Sequence, residues 1–248
     1  MNTFRPCAVV PVFNHPAFLS TLVHVLRNNA LPVILVDDGS TDNCPDLIAE
    51  LAQQQDVHAM RHAENQGKGA AIMSGLEKAR TLGFTHALQV DADGQHHLDD
   101  IPKLLAAART RPQAIITGQP IFDAQVPKSR LYSRYITHVW VWINTLSLRI
   151  RDSMCGFRIY PVAECCDLIK RYDMGPRMSF DTEILVRYFW LGGTIISIPT
   201  PVKYLADGVS HFRLLEDNLR LSGMHARLFF GMLLRIPMLL WQNWQRAS

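Results

Sequence analysis

The chain has 248 residues, 48% apolar and 19% charged, with a formal net charge of +3. That length suits one substantial domain with at most an appendage, and so small a charge gives no reason to expect nucleic acid as a partner. Five cysteines (Cys7, Cys44, Cys155, Cys165 and Cys166) form neither a CxxC pair nor a metal-finger spacing, so they read as reduced thiols in a cytoplasmic protein.

The N-terminus lacks a basic stretch followed by an apolar core, so no signal peptide is read there. "CAVVPVF" is expected to be a strand and "FLSTLVHVLRNN" a helix with apolar spacing of three and four. "PVILVDDGS" predicts a second strand with a polar end, followed by the helix "CPDLIAELAQQ", whose Pro45 suits a helix start. "VHAMRH" is the third strand, and "GKGAAIMSGLEKAR" a helix entered through glycines. "HALQVDADG" is the fourth strand, apolar apart from Gln89, then come the helix "LDDIPKLLAAART" and the strand "QAIITGQ". This alternation predicts a mainly parallel sheet covered by helices on both faces, with ligands at the carboxyl ends of the strands.

After residue 120 the pattern changes. A long helix is expected over 128–150, apolar at 131, 135, 139, 142 and 146 and basic at its start. "GFRIYP" and "TIISIPTPVKY" read as strands, with "FDTEILVRYFWLGG" a helix ending in glycines. Lys and Arg cluster at 128–134, 149–158 and 213–235 among aromatic and aliphatic residues. No uninterrupted apolar run reaches the ~18 residues of a membrane-crossing helix. "LFFGMLLRIPMLLWQNW" comes nearest but holds Arg235 and Pro237. Basic plus apolar suggests segments lying on an anionic membrane surface, with a homo-oligomer interface as competitor.

Two carboxylates one residue apart at a strand tip, Asp91 and Asp93, can converge on one hard divalent cation, Mg²⁺ or Mn²⁺, leaving positions for phosphate oxygens. Asp-x-Asp alone is equally a solvated turn. A second acid pair, Asp37 and Asp38, ends a neighbouring strand, where a carboxylate can accept hydrogen bonds from ribose or a base. "NQGKGAA" places glycines and Lys68 at a helix start suited to negative charge, though it is neither a Walker A loop nor a dinucleotide fingerprint.

With "VVPVFN" ahead of them, "DDGSTD", "ENQGKGAA" and "VDADGQH" resemble the family 2 glycosyltransferases of the GT-A fold, nearest the dolichyl-phosphate mannose synthase type. "DSMCGFRIYP", "MSFDTEILVRYFWLGG" and "GVSHF" have counterparts there too, so the resemblance spans residues 7–212. It implies a GT-A domain over 1–212, followed by an amphipathic helical segment, 213–248, that is membrane-associated or oligomerising. It further implies that Asp91 and Asp93 bind the metal and donor diphosphate with Gln95 nearby, while Pro11, Phe13, Asp37 or Asp38, and Lys68 hold the nucleotide. His211 stands where this branch often has a diphosphate-contacting lysine; a third metal ligand and a hydrogen-bonded loop residue are equal readings. His96 and His97 read as helix-entry residues.

The branch usually carries an arginine after the glycine of its fifth strand, gripping the acceptor phosphate. Here Gln119 and Pro120 stand there, leaving Lys128, Arg130 and Arg134 to meet an acceptor head group. The expected activity is metal-dependent, inverting transfer of a sugar from a nucleotide diphosphate to a lipid, on the inner face of the cell membrane. A hydroxyl acceptor is the alternative and needs a general base, for which Asp181 and Glu183 are candidates, although acids also favour a helix start for its own sake. A non-catalytic lipid- or partner-binding protein is the third reading.

Overall fold

The computed structural model describes residues 3–122, 128–202 and 214–246. Strands β1 (Pro6–Val12), β2 (Val33–Asp37), β3 (Val57–Arg61), β4 (His86–Gln89), β5 (Ala114–Ile121), β6 (Arg158–Pro161) and β7 (Thr194–Pro201) form one sheet in the order β3-β2-β1-β4-β6-β5-β7. Every pairing of these strands is parallel except those of β6, which runs antiparallel between β4 and β5. All five residues of β2 are buried, as expected of a strand covered on both faces.

The helices are α1 (Leu19–Asn28), α2 (Cys44–Leu51), α3 (Lys68–Thr81), α4 (Ile101–Thr110), α5 (Lys128–Thr145), α6 (Val162–Arg171), α7 (Phe180–Trp190), α8 (Leu214–Leu233) and α9 (Ile236–Gln245). Two cores result. Ala8, Val10 and Val12 of β1 pack with α1, α2 and α4, whereas Cys7 and Val9 pack with α3, α6 and α7, which is the two-residue alternation of a strand. The second core extends outward to Val141 of α5, Met224 and Leu228 of α8, and Leu239 of α9.

Two expectations change. Helix α6 directly follows "GFRIYP", where the strand–helix reading holds no element. The long helix expected over 128–150 stops at Thr145, because Leu146 adopts a left-handed φ of 49°. The amides of Leu146 and Ser147 then donate back to the carbonyls of Ile143 and Trp142, a Schellman closure made without glycine.

A boundary at residue 212 falls outside the described residues; beyond it, α8 packs on α5 and α7. Among the described residues no single helix is long and apolar enough to cross a membrane, and α8 and α9 meet at an 81° bend. Large apolar side chains lie exposed on α5 (Tyr132, Tyr135, Ile136), on α8 (Leu219, Phe230) and around α9 (Leu234, Trp241, Trp244), with Leu234 85% exposed.

Candidate active site

The carboxyl ends of β1, β2 and β4 lie side by side, so the polar tips that follow them share one edge. Beyond β4 the chain turns through Asp93, whose Oδ1 accepts the Gln95 amide at 3.0 Å, and through Gly94 at a φ of 71°. Asp91 points inward. Its Oδ2 accepts from Lys68 Nζ at 2.7 Å and lies 3.4 Å from His96 Nε2, while its buried Oδ1 has no hydrogen-bond partner. Burial alone raises the Asp91 carboxyl, but Lys68 and His96 overcome it and hold the group far below the usual carboxylate range. Burial pulls Lys68 the other way, and Asp181 and Asp91 outweigh it, keeping the ammonium charged.

Lys68 also lies 3.3 Å from Oδ2 of Asp181. The remaining Asp181 oxygen accepts from Gln89 Nε2 at 3.4 Å and sits 3.8 Å from Arg158 Nη1. Gln89 in turn accepts the Tyr160 hydroxyl at 2.8 Å. Arg158, fully buried, donates to the carbonyls of Ser153, Cys155 and Asp181, so it braces the 152–157 loop and offsets the charge of Asp181. Gly156 forms the wall of this cluster. A Cβ there would stand 2.6 Å from both Asp91 Oδ2 and Lys68 Nζ.

The structure separates candidate residues that stand close together in the sequence. Glu183 faces away from this cluster: two residues beyond Asp181 on a helix is a turn of about 200°. Its Oε1 accepts two bonds from Arg187, at 2.9 and 2.7 Å, and its Oε2 accepts the Gly175 amide at 3.0 Å. Its carboxylate is wholly buried and engaged by those donors, apart from Asp91 and Lys68. Glu183→Gln is therefore expected to destabilise the fold, by up to the roughly 3–5 kcal/mol that removing one partner of a buried pair costs. Turnover per folded molecule should be unchanged; urea unfolding beside a kinetic assay checks both.

Asp38 is likewise committed to the fold. Its Oδ1 lies 2.8 Å from His62 Nδ1 and accepts the Gln66 amide at 3.0 Å; its Oδ2 accepts the Gly67 amide at 2.8 Å and Asn65 Nδ2 at 3.0 Å. These contacts fill the acceptor positions of a carboxylate and fasten the "ENQGKG" loop. Asp37 differs: Oδ1 accepts the Ser40 amide at 2.8 Å, but Oδ2 is buried without a hydrogen bond, 3.4 Å from Arg61 Nη1. Of the two, Asp37 is the one with an oxygen that accepts no hydrogen bond.

The glycines opening α3 serve packing. Cβ atoms on Gly67 and Gly69 would strike Pro176, Arg177 and Phe180, and the Ala70 amide donates to the Pro176 carbonyl. Lys68, not a free cradle of amides, is what this motif brings to the site. His97 stays at a helix entry, 3.8 Å from both Asp99 and Asp100. His96, expected to do the same, instead lies beside Asp91, stacked on Phe157 with ring centroids 5.1 Å apart.

Pro11 in β1 and Phe13 just past its end are half-buried, next to the strand bearing Asp37, and Gln95 sits half-buried in the turn after Asp93. Gln119, near the end of β5, has a buried Oε1 without a partner. Arg134 forks onto Asp152 at 2.6 and 2.7 Å. His211 and the side chains of Lys128 and Arg130 lie outside the described residues. Gln89, Tyr160 and Gly156 enter the site without having been singled out; the signal available was a lone amide inside an apolar strand.

Comparisons with known proteins bear on the family and the fold. The glycosyl transferase family 2 model matches residues 7–174. The UDP-N-acetylglucosamine–dolichyl-phosphate N-acetylglucosaminyltransferase of Methanococcus voltae is 29% identical over 169 residues, covering 61% of this chain and 67% of that one. The undecaprenyl-phosphate mannosyltransferase of Micrococcus luteus is 27% identical over 205 residues, covering 79% and 82%. Glucosyl-3-phosphoglycerate synthase of Mycobacterium tuberculosis, solved with Mn²⁺, UDP and glucosyl-3-phosphoglycerate, superposes at a TM-score of 0.66 with 15% identity, covering 93% of this chain and 78% of that one. The mostly parallel sheet with helices on both faces is the GT-A fold.

Proposed function

Because the chain belongs to glycosyl transferase family 2, and is therefore a glycosyltransferase, we propose that it moves a sugar from a nucleotide-diphosphate donor to a lipid acceptor at a membrane surface. The observation that carries the lipid reading is the exposed aromatic and aliphatic face of α5, α8 and α9. These side chains stand on neighbouring helices, α8 packing on α5, where a group of exposed apolar residues marks an interaction site. Trp241 and Trp244, in a stretch that also carries Arg235 and Arg246, have the composition of an interfacial anchor. We place the protein peripherally on the inner face of the cell membrane.

At the donor side, Asp37 accepts from the nucleoside, and Pro11 and Phe13 line its seat. Lys68 meets the diphosphate. Asp91 has one oxygen held by Lys68 and the other buried without a partner. A hard cation fits that second oxygen, with Asp93 completing the protein's share. Mg²⁺ or Mn²⁺ held there would neutralise charge on the departing diphosphate. Asp181 keeps Lys68 in place, and Gln89 and Arg158 keep Asp181 in place. Lys128 and Arg130 at the start of α5 bring an anionic head group towards the sugar, and a phosphate acceptor needs no base.

One observation favours a hydroxyl acceptor as the second reading. Gln119 presents a buried carbonyl oxygen that lacks a donor, which a hydroxyl supplies and a phosphate dianion does not. Asp181 would then be the only one of the two candidate acids near enough to act.

The test uses the full chain with vesicles of bacterial lipid extract, Mn²⁺ or Mg²⁺, and radiolabelled UDP- and GDP-sugars. Label is expected in the lipid fraction; none under either metal would sink the reading. In flotation, the protein should rise with anionic vesicles, and Leu234→Asp with Trp241→Ser should reduce this about tenfold. Retention in the dense fraction, as a dimer by sedimentation, would assign the apolar face to a second copy.

A further inference from the structure

The two halves of α5 are attached to the domain differently. In its C-terminal half Val141 is buried in the core, Trp142 Nε1 donates to the Ile150 carbonyl at 2.9 Å, and the Asn144 carbonyl accepts Trp190 Nε1 at 2.7 Å. In the other half, Tyr132, Tyr135 and Ile136 are each more than half exposed. Among the described side chains of that half, Arg134 grips Asp152 through Nε and Nη2, at 2.6 and 2.7 Å, and His138 Nε2 lies 3.3 Å from the same carboxylate. Asp152 is only 3% exposed. Burial raises its carboxyl, but His138 and Arg134 outweigh burial and hold it well below the usual range.

Asp152 opens the loop that walls the active site. Its Oδ1 also accepts the amides of Met154 and Cys155, at 2.9 and 2.8 Å. The Cys155 carbonyl accepts from Arg158 at 2.9 Å. Gly156 follows, pressed against Asp91, Lys68 and Gln89. One buried carboxylate therefore joins the basic, membrane-facing start of α5 to the loop that shapes the donor site. A bidentate guanidinium–carboxylate pair fixes orientation as well as distance.

We propose that Asp152 is a positioning residue for the acceptor: through Arg134 it sets the register of α5 against the donor cleft, so that a head group held by α5 arrives in line with the sugar. This rests on the lipid-acceptor reading. A helix loose at its outer end would still let donor bind, but would present the acceptor at the wrong place, and small misplacements of reacting groups are costly.

The test compares the wild-type chain with Asp152→Asn, Arg134→Gln, Arg134→Lys and the Asp152→Asn/Arg134→Gln pair. All are assayed in phosphatidylglycerol vesicles carrying undecaprenyl phosphate or diacylglycerol. Each single neutral variant should raise the acceptor KM about tenfold, with the donor KM within twofold and Mn²⁺-dependent binding of UDP or GDP unchanged. Arg134→Lys, which keeps the charge without the fork, should fall between. The double variant should be no worse than either single one. An unchanged acceptor KM, or a loss shared equally with donor binding, overturns the proposal. Spin labels at Ile136 and Ala106 read the register without turnover. Asp152→Asn should broaden their distance distribution, and an unaltered distribution overturns the clamp even if no acceptor is found. Wild-type protein that transfers no sugar while Asp152→Asn loosens α5 would defeat the lipid reading and leave the clamp standing.

Discussion

Asp91→Asn is expected to lower kcat/KM for sugar transfer by about a thousandfold or more while leaving a folded protein. Losing one preorganised electrostatic contact commonly costs about 10²–10³ in rate, and Asp91 makes two. One oxygen holds Lys68 at 2.7 Å, and the other is the buried, unpartnered atom that suits a cation. An amide keeps the shape but removes the charge from both. Lys68 retains Asp181 at 3.3 Å, so the buried ammonium keeps an anionic partner and the fold survives. Asp93→Asn should be milder, because part of that carboxylate's work is the turn bond to the Gln95 amide. Circular dichroism alongside the transfer assay separates the cases, and Mn²⁺ affinity by spin resonance gives a readout independent of turnover. Activity within tenfold of wild type in Asp91→Asn would remove this residue from the centre of the mechanism.

The same contrast between charge and surroundings explains what the sequence made legible. Strands of four to eight residues alternating with helices are a local signal, and so the sheet and the edge carrying Asp37 and Asp91 could be anticipated. The destination of a buried carboxylate is not local. Asp38 finds its donors in residues 62–67, and Glu183 finds Arg187 one turn away together with the amide of Gly175. Apart from Arg187, an i,i+4 neighbour on the same helix, these partners do not follow from strand or helix pattern, so Asp37 and Asp38, or Asp181 and Glu183, look equivalent until the fold divides them. His96 escaped for a related reason. Its bridge partner Val202 lies just past the end of β7, over a hundred positions away along the chain, so its place beside Asp91 depends on a contact that no local pattern reveals. Helix α5 ends earlier than its apolar spacing predicts because Leu146 takes a conformation usually left to glycine.

Gly156→Ala should separate catalysis from stability in the opposite sense to Glu183→Gln. The new methyl would lie 2.6 Å from Asp91 Oδ2 and Lys68 Nζ and 2.8 Å from Gln89 Nε2. All three are side-chain ends, so the backbone need not move, and the stability cost should stay within the roughly 1–3 kcal/mol of ordinary overpacking. Those ends cannot yield independently, however. Lys68 is shared between Asp91 and Asp181, and Gln89 is shared between Asp181 and Tyr160. A displacement of even about 1 Å at such a centre costs on the order of 10²-fold in rate. A loss in kcat of that size or more is expected, with the unfolding midpoint only modestly lowered. Gly75→Ala is the control: its methyl would meet Val9 Cγ1 at 2.3 Å, deep between α3 and β1 and among apolar atoms only. That variant should lose stability and keep kcat per folded molecule. If both glycine variants reduce stability and rate in the same proportion, the wall formed by Gly156 is packing alone, and the cluster of Asp91, Lys68 and Gln89 is not the tightly held centre described above.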